Sequence, residues 1–513
     1  MRNLLLFSSL LIIHSSLFSQ NEWVLQPWMQ VVGYSGQNLG SNVSFIGKVG
    51  DSTQIEVSGL NGINMYRIKS STDTVPRFLF PGNKCLLGDF NGDGIEDLVV
   101  GGNPTKIYLG KAAGVFDTIP FFTKYQEPNG YNFGSRIAVG KINGDQYDDL
   151  LVTDVGYPSL SFRGKVYLFF GGTKMDSLPS YVSIGDSVSS GLGVGIACGD
   201  LNNDGFDDII VKGYDQSGFG PNGTIRYAYI KIFLGGSKID TVAWKYIKGR
   251  DNSGRGVASF DLNGDGVKDL LWTSAIATAS CVNVHFSHFG DIDTTPSLVL
   301  TAPRGLYNVA NAGDMNGDGY NDIVTSDDGS DQGGDSYVFV YSGGPKMDSH
   351  FDAAVGLEGD SNLGLLGSMV SIGDINGDGF ADLLISARDY QWGSSQGYFG
   401  IFLGSQNIPV AGVKESGNSL PNNFELLQNY PNPFNPATAI SYHLSEQSHV
   451  TLKVDDVLGK EIITLVNKEQ VPGNYMVRFD GGKLASGVYY YTLAATDAHG
   501  NKQSETKRMT LIK

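Results

Sequence analysis

The chain has 513 residues and a formal net charge of −17. It carries 69 glycines and 11% aromatic residues but only 17% charged ones, a mixture that suits an all-β chain with many turns better than a helical one. The acidic balance argues against nucleic acid as a partner, and the length allows two or more domains with sizeable cores.

The first element in chain order is not part of a fold. Arg2 precedes an apolar run from Leu4 to Ile13, and small and polar residues follow up to Ser19 and Gln20. This pattern predicts a secretory signal peptide over 1–19. The run is too short for a membrane span, and no later stretch approaches about 20 apolar residues, so no transmembrane segment is expected. Three cysteines, Cys85, Cys198 and Cys281, are spread too widely and in too odd a number for a disulfide framework. They read as small buried hydrophobes.

Residues 20–410 repeat themselves. An acidic, glycine-rich loop begins at Asp89, Lys141, Asp200, Asp261, Asp314 and Asp374. A strand precedes each copy, as in FGSRIAVG (133–140), and an apolar strand such as DLVV, DLLV or DIIV follows it. A third strand ends in glycine, as in KVYLFFGG (165–172) and YVFVYSGG (337–344). A fourth, less regular segment comes next. Short strands at this spacing predict one four-stranded sheet per repeat, and such sheets repeated radially make a β-propeller. A weaker copy at 39–68 has a vestige of the loop at Lys48 and the strand GINMYRI. With it the units number seven, without it six; the expectation is a seven-bladed propeller with a degenerate first blade. EWVLQPW (22–28) is a candidate outer strand for the last blade, which would leave no free edge. Ala138, Ala197, Ala258 and Ser371 lie on the strands before the loops, where an innermost position around a narrow channel needs small residues.

The loops carry metal chemistry. In the first, Asp89, Asn91, Asp93 and Asp97 place hard oxygen donors at positions 1, 3, 5 and 9. Gly94 at position 6 allows a sharp turn, and Ile95 at position 7 offers its carbonyl. Calcium takes about six to eight such oxygens, and three converging carboxylates repel strongly without a cation. The pattern recurs at Asp200, Asn202, Asp204, Phe206 and Asp208, and at Asp261, Asn263, Asp265, Val267 and Asp269. It returns at Asp314, Asn316, Asp318, Tyr320 and Asp322, and at Asp374, Asn376, Asp378, Phe380 and Asp382. About five calcium sites are therefore expected, and their occupancy would move the charge from −17 to about −7. The loop at 141 keeps Asn143, Asp145 and Asp149 but has Lys141 at position 1 and Gln146 at position 6. Its ammonium is expected to stand in for the metal. An EF-hand is excluded, because position 12 is Val100, Val211, Trp272, Thr325 or Ile385 rather than an acidic ligand opening a helix.

These marks, a leading Phe-Gly or Leu-Gly and D-x-N-x-D-G-x-x-D, resemble the FG-GAP repeats of the integrin α-subunit head over roughly residues 30–405. The resemblance implies calcium in the hairpin between the first two strands of each blade, on the lower face, with partners on the opposite face.

Residues 411–423 read as a linker, and 424–513 as a small immunoglobulin-like β-sandwich. NYPNPFNP (429–436), the run from Val450 to Lys460 and LASGVYYY (484–491) resemble the sorting domain of the type IX secretion system. That implies export by its machinery to a secreted or outer-surface location.

No catalytic constellation is recognisable. His285 and His288, three apart on a strand, point to opposite faces. The expected function is therefore not enzymatic: a surface protein or glycan is bound. The alternatives are a calcium-dependent polysaccharide-active enzyme, a lyase or glycosidase, and a structural surface protein. Tyr157, Phe162, Tyr214, Phe219, Tyr307, Tyr390 and Trp392 are candidates for exposed binding aromatics.

Overall fold

A computed structural model describes the chain from Trp23 to Ile512, with its main gaps at 33–42, 327–335, 358–365, 388–396, 409–423 and 430–436. The expected signal peptide and linker, together with Tyr390 and Trp392, lie outside the described residues. All regular elements among the described residues are strands, and no helix there is long and apolar enough to cross a membrane. The chain divides into two units, 1–413 and 414–513.

In the first unit the repeats form antiparallel sheets joined in chain order. One runs Lys84–Gly88, Asp97–Gly101, Thr105–Tyr108 and Phe122–Lys124; the next runs Phe133–Gly140, Asp149–Asp154, Lys165–Phe169 and Tyr181–Ile184. The second strands Asp97–Gly101, Asp149–Asp154, Asp322–Ser326 and Asp382–Ala387 are buried at every position. They lack the alternation of a half-exposed strand because each sheet is covered on both faces by its neighbours. Alternate residues enter different cores. Leu98 and Val100 pack with Ile63 and Met65 of the preceding sheet. Val99 packs with Leu150, Val152 and Tyr167 of the following one. Leu384 of the last sheet shares a core with Ile55 and Val57 of the first. The innermost strands neighbour one another in chain order, and Leu366–Gly373 neighbours Val43–Val49. The sheets therefore stand in a ring, as a β-propeller requires.

The innermost strands crowd closely. A Cβ on Gly88 would lie 2.7 Å from Val139, and one on Gly140 2.7 Å from Cys198. This explains the glycines before the loops at Asp89, Lys141 and Asp200; Phe260 precedes the loop at Asp261, and a Cβ on Gly373 would meet nothing within 4 Å. Cys85 and Cys281 are buried, Cys198 is partly buried, and none of the three is in a disulfide.

The chain start completes the last sheet. Pro27–Val32 pairs antiparallel with Tyr398–Phe402, with Met29 opposite Ile401. The segment suggested by sequence, 22–28, is displaced: Trp23–Val24 instead pairs parallel with Ala353 and Ala354 of the preceding sheet. The vestigial loop at Lys48 is also corrected. Lys48 lies within a strand opposite Thr53, so a tight hairpin replaces an acidic loop there.

The second unit has a three-stranded sheet, Glu425–Leu426, Ala437–Leu444 and Gly473–Asp480, and a four-stranded one containing Glu461–Gln470, Ser448–Asp455, Gly487–Asp497 and Lys502–Leu511. Ile440, Tyr442 and Phe479 of one sheet share a core with Leu452, Tyr491 and Leu493 of the other. The Asn429 N–H donates to the Tyr491 hydroxyl at 2.6 Å. Two of the recognised motifs therefore meet.

Candidate metal-binding loops and the face opposite them

Each loop joins the first strand of its sheet to the second. At 89–97 the Asp89 carboxylate lies inside the turn. Its Oδ1 accepts the Gly92 and Asp93 N–H groups at 2.8 and 3.1 Å, and its Oδ2 accepts that of Gly94 at 2.9 Å. Asn91 Oδ1 accepts the Asp93 N–H, and Asp93 Oδ1 accepts that of Ile95. Asp200, Asp261, Asp314 and Asp374 accept the position-6 N–H in the same way, each at 2.9 Å. Asn202 and Asp204, Asn263 and Asp265, Asn316 and Asp318, and Asn376 and Asp378 repeat the next two bonds. The position-6 glycines are left-handed, from Gly94 at φ 80° to Gly379 at 94°, which a side chain rarely adopts. As the loops stand, carboxylates face their own backbone. Among the described residues no three acidic, histidine or cysteine side chains form a ready-made metal cage.

Position 9 lies beneath each turn. Asp97, Asp208, Asp269, Asp322 and Asp382 are fully buried. One oxygen accepts the position-2 N–H, from Phe90, Leu201, Leu262, Met315 and Ile375 respectively. The other accepts an N–H just past the third strand, as from Gly110, Gly235, Gly343 and Gly404. Burial pushes these carboxyls up, to about 6 at Asp97 and Asp382 and about 7 at Asp208 and Asp269. The charges at positions 5 and 1 push in the same direction, and they do so at Asp322 too. The three carboxyls of each loop therefore feel one another. Their oxygens, with the amide oxygen at position 3, are a donor set for a hard cation.

Sequence reading assigned position 7 only a carbonyl. Its side chain has a further place, across the gap between sheets. A Cβ on Gly264 would lie 2.4 Å from the Tyr320 ring, and one on Gly317 2.6 Å from that of Phe380. The same contact joins Gly92 to Tyr147 and Gly144 to Phe206. Each ring thus caps the position-4 glycine of the loop before it. The glycine pair ending the third strand is explained likewise. Its second N–H donates backwards, Gly172 to Phe90 O, Gly236 to Ile142 O and Gly344 to Leu262 O, at 2.7 to 2.8 Å. A Cβ on its first member would strike the position-8 carbonyl, 2.0 Å away at Gly343.

The 141 loop follows the rule of its neighbours but not the expected substitution. The Lys141 ammonium lies 3.2 Å from Asp148 and 3.2 Å from the Gln146 carbonyl. Asp145 and Asp149 do not hold it. Asp148 also accepts the Asp89 N–H at 2.7 Å, so the lysine is tied to the preceding loop.

In these meanders the first-to-second and third-to-fourth connections share one end, and the other connections share the opposite end. On that opposite end Asp154 is fully buried and accepts the Tyr131 N–H at 2.8 Å. Lys165 pairs with Glu127 at 2.6 Å and lies 4.6 Å from the ring centroids of Tyr157 and Tyr167. Of the aromatics singled out from sequence, Phe162 is exposed, while Tyr157, Tyr214 and Tyr307 are half-buried. The side chain of Phe219 lies outside the described residues. Tyr131, 54% exposed, was missed, because nothing in its local sequence distinguishes it. His285 is buried, accepting the Trp272 Nε1–H at 3.0 Å and bonded to Asp293 O at 2.9 Å. Its role is packing, and His288 is exposed.

Comparison with known proteins agrees with this geometry. The FG-GAP-like repeat model matches residues 89–152 and the FG-GAP repeat model residues 367–401. The secretion system C-terminal sorting domain matches residues 428–508. Integrin alpha-5 of Xenopus laevis is 26% identical over 231 residues, covering 42% of this chain and 21% of that protein. Integrin alpha-IIb of Mus musculus is 33% identical over 170 residues, covering 31% and 16%. Phosphatidylinositol-glycan-specific phospholipase D of Bos taurus is 28% identical over 171 residues, covering 29% and 20%. The chain thus spans about a fifth of the length of these curated relatives. The sorting domain marks it for type IX export, in contact with that machinery, to a secreted or cell-surface location. The chain carries FG-GAP repeats in a β-propeller unit, followed by a secretion-system C-terminal sorting domain.

Proposed function

We propose that this chain is an exported, calcium-stabilised binding module that recognises a surface protein or glycan on the propeller face opposite its acidic loops. One observation carries the reading: five loops of identical donor pattern each bring mutually repelling carboxyls to one end of the ring. Calcium bound there would draw on Asp89, Asn91, Asp93, the Ile95 carbonyl and Asp97, and on their counterparts in the other four loops. It would relieve the repulsion and stabilise the native state by linkage. The other end is left free for a ligand. Two acid–base groups of that end, Asp154 and Lys165, are buried under the connecting loops, and neither favours an enzyme.

The test is a thermal melt of the full chain in calcium and in chelator. A rise of several degrees with calcium, lost stepwise as Asp93, Asp204, Asp265, Asp318 and Asp378 are changed to Ala, is expected. A melt indifferent to calcium would sink the proposal.

A further inference from the structure

Two exposed aromatic rings stand together on the face opposite the loops. Tyr131 is in the connection between the sheet ending at Lys124 and the one beginning at Phe133; Phe162 is in the connection from Asp154 to Lys165. Their centroids are 6.2 Å apart and their planes meet at 86°. The pair is an open right-angled corner with Tyr131 54% and Phe162 46% exposed.

The corner is held rigidly, at a cost in backbone strain. Phe162 has φ 48°, and Asn129 and Asn132, on either side of Tyr131, have φ 65° and 68°. A bulky residue in this region is strained, and such strain persists only where the surroundings over-determine it. Here they do. The Tyr131 N–H donates to buried Asp154, and its carbonyl accepts from Gly156 at 2.8 Å. The Phe162 N–H donates to Pro158 O at 2.9 Å, and its carbonyl accepts from Gly191 at 3.0 Å. The Ser159 N–H donates to Asn129 O at 2.8 Å. Glycine is required beneath: a Cβ on Gly130 would lie 2.1 Å from Asp154 Oδ2, and one on Gly156 2.6 Å from Tyr131 O. Strain and buried hydrogen bonds are thus spent on presenting two apolar rings to water, which packing alone does not reward.

We propose that this corner is a carbohydrate subsite for a neutral pyranose unit, the C–H face of the sugar stacked on one ring and its edge set against the other. The proposal rests on the binding reading above and names its ligand. The exposed amides of Asn129 and Asn132 bracket Tyr131 and supply the uncharged donors and acceptors that sugar hydroxyls pair with. Charge selects against an acidic sugar. The cation below, Lys165, is already paired with Glu127, and the chain carries −17. Size selects against a protein, which needs about 800 Å² on each side, far more than two rings offer. Rings fixed before binding lose little entropy when the sugar arrives.

The test is native-gel affinity electrophoresis of the full chain with laminarin, galactomannan or arabinoxylan in the gel, and alginate as the anionic counterpart. Retardation by at least one neutral polysaccharide is expected, with apparent affinity falling about tenfold in Tyr131→Ala and in Phe162→Gly. Both variants should melt with the parent chain, since Tyr131→Ala keeps its backbone bonds and Phe162→Gly relieves the left-handed strain. No retardation by any neutral polysaccharide, retardation by alginate alone, or full retardation of both variants overturns the proposal. With calcium-dependent melting intact, that result leaves the binding module with a protein partner; loss of calcium dependence strikes the earlier reading instead.

Discussion

A single buried carboxyl decides how the loops answer to pH. Asp97, Asp208, Asp269 and Asp382 hold their protons to about 6–7 in the folded chain, whereas an unfolded aspartate releases its proton near about 4. Between these values the folded state binds more protons than the unfolded one, so stability rises as pH falls through the window. Calcium bound as proposed would reverse the sign, because protons would then compete with the metal for the same oxygens. In calcium-free buffer the denaturant midpoint should therefore rise from about pH 7.5 to about pH 5.5, and in saturating calcium it should fall. Slopes of the same sign in both buffers would show that the metal is held elsewhere.

Between elements, the contacts that matter reach from one sheet to the next. Gly264→Ala would force a side chain into a left-handed φ of 79° and against the Tyr320 ring. It should cost about 2–3 kcal/mol, and Tyr320→Ala in the same chain should recover only the clash, leaving about 1 kcal/mol from the backbone; a double-mutant cycle by chemical denaturation measures both. This contrast also divides what the sequence discloses from what it does not. The oxygen ladder at positions 1, 3, 5 and 9 was legible because nine consecutive residues carry it. So were the apolar runs that follow each loop. The Tyr320 ring over Gly264, the backward reach of Gly344 to Leu262 and the displaced start strand at Pro27 were not. Each depends on a partner a full repeat or more away, and period-matched patterns do not say which neighbour a side chain touches. Lys141 misled for a similar reason: its partner Asp148 is close in sequence, yet the choice between Asp145, Asp148 and Asp149 is made by the preceding loop's need for an acceptor.

At the scale of the whole molecule, the propeller cores and the core around Leu452 and Tyr491 share no residue, and the chain divides at Val413. A chain ending at Val413 should therefore keep the propeller melting transition within about 2 °C of the full-length value in calorimetry; a large drop would mean that the sorting domain supports the ring. The pairing of Pro27–Val32 with Tyr398–Phe402 has a consequence in time. The strand that completes the last sheet is made before its partner, which follows roughly 370 residues later. Closing so long a loop adds little to the free energy, because the entropic term grows only logarithmically, but it puts the step last in the order of assembly. Until then the early strand waits as an unpaired edge, open to other chains. A chain interrupted before Tyr398 keeps that edge and cannot satisfy it, so two interrupted copies can associate through it.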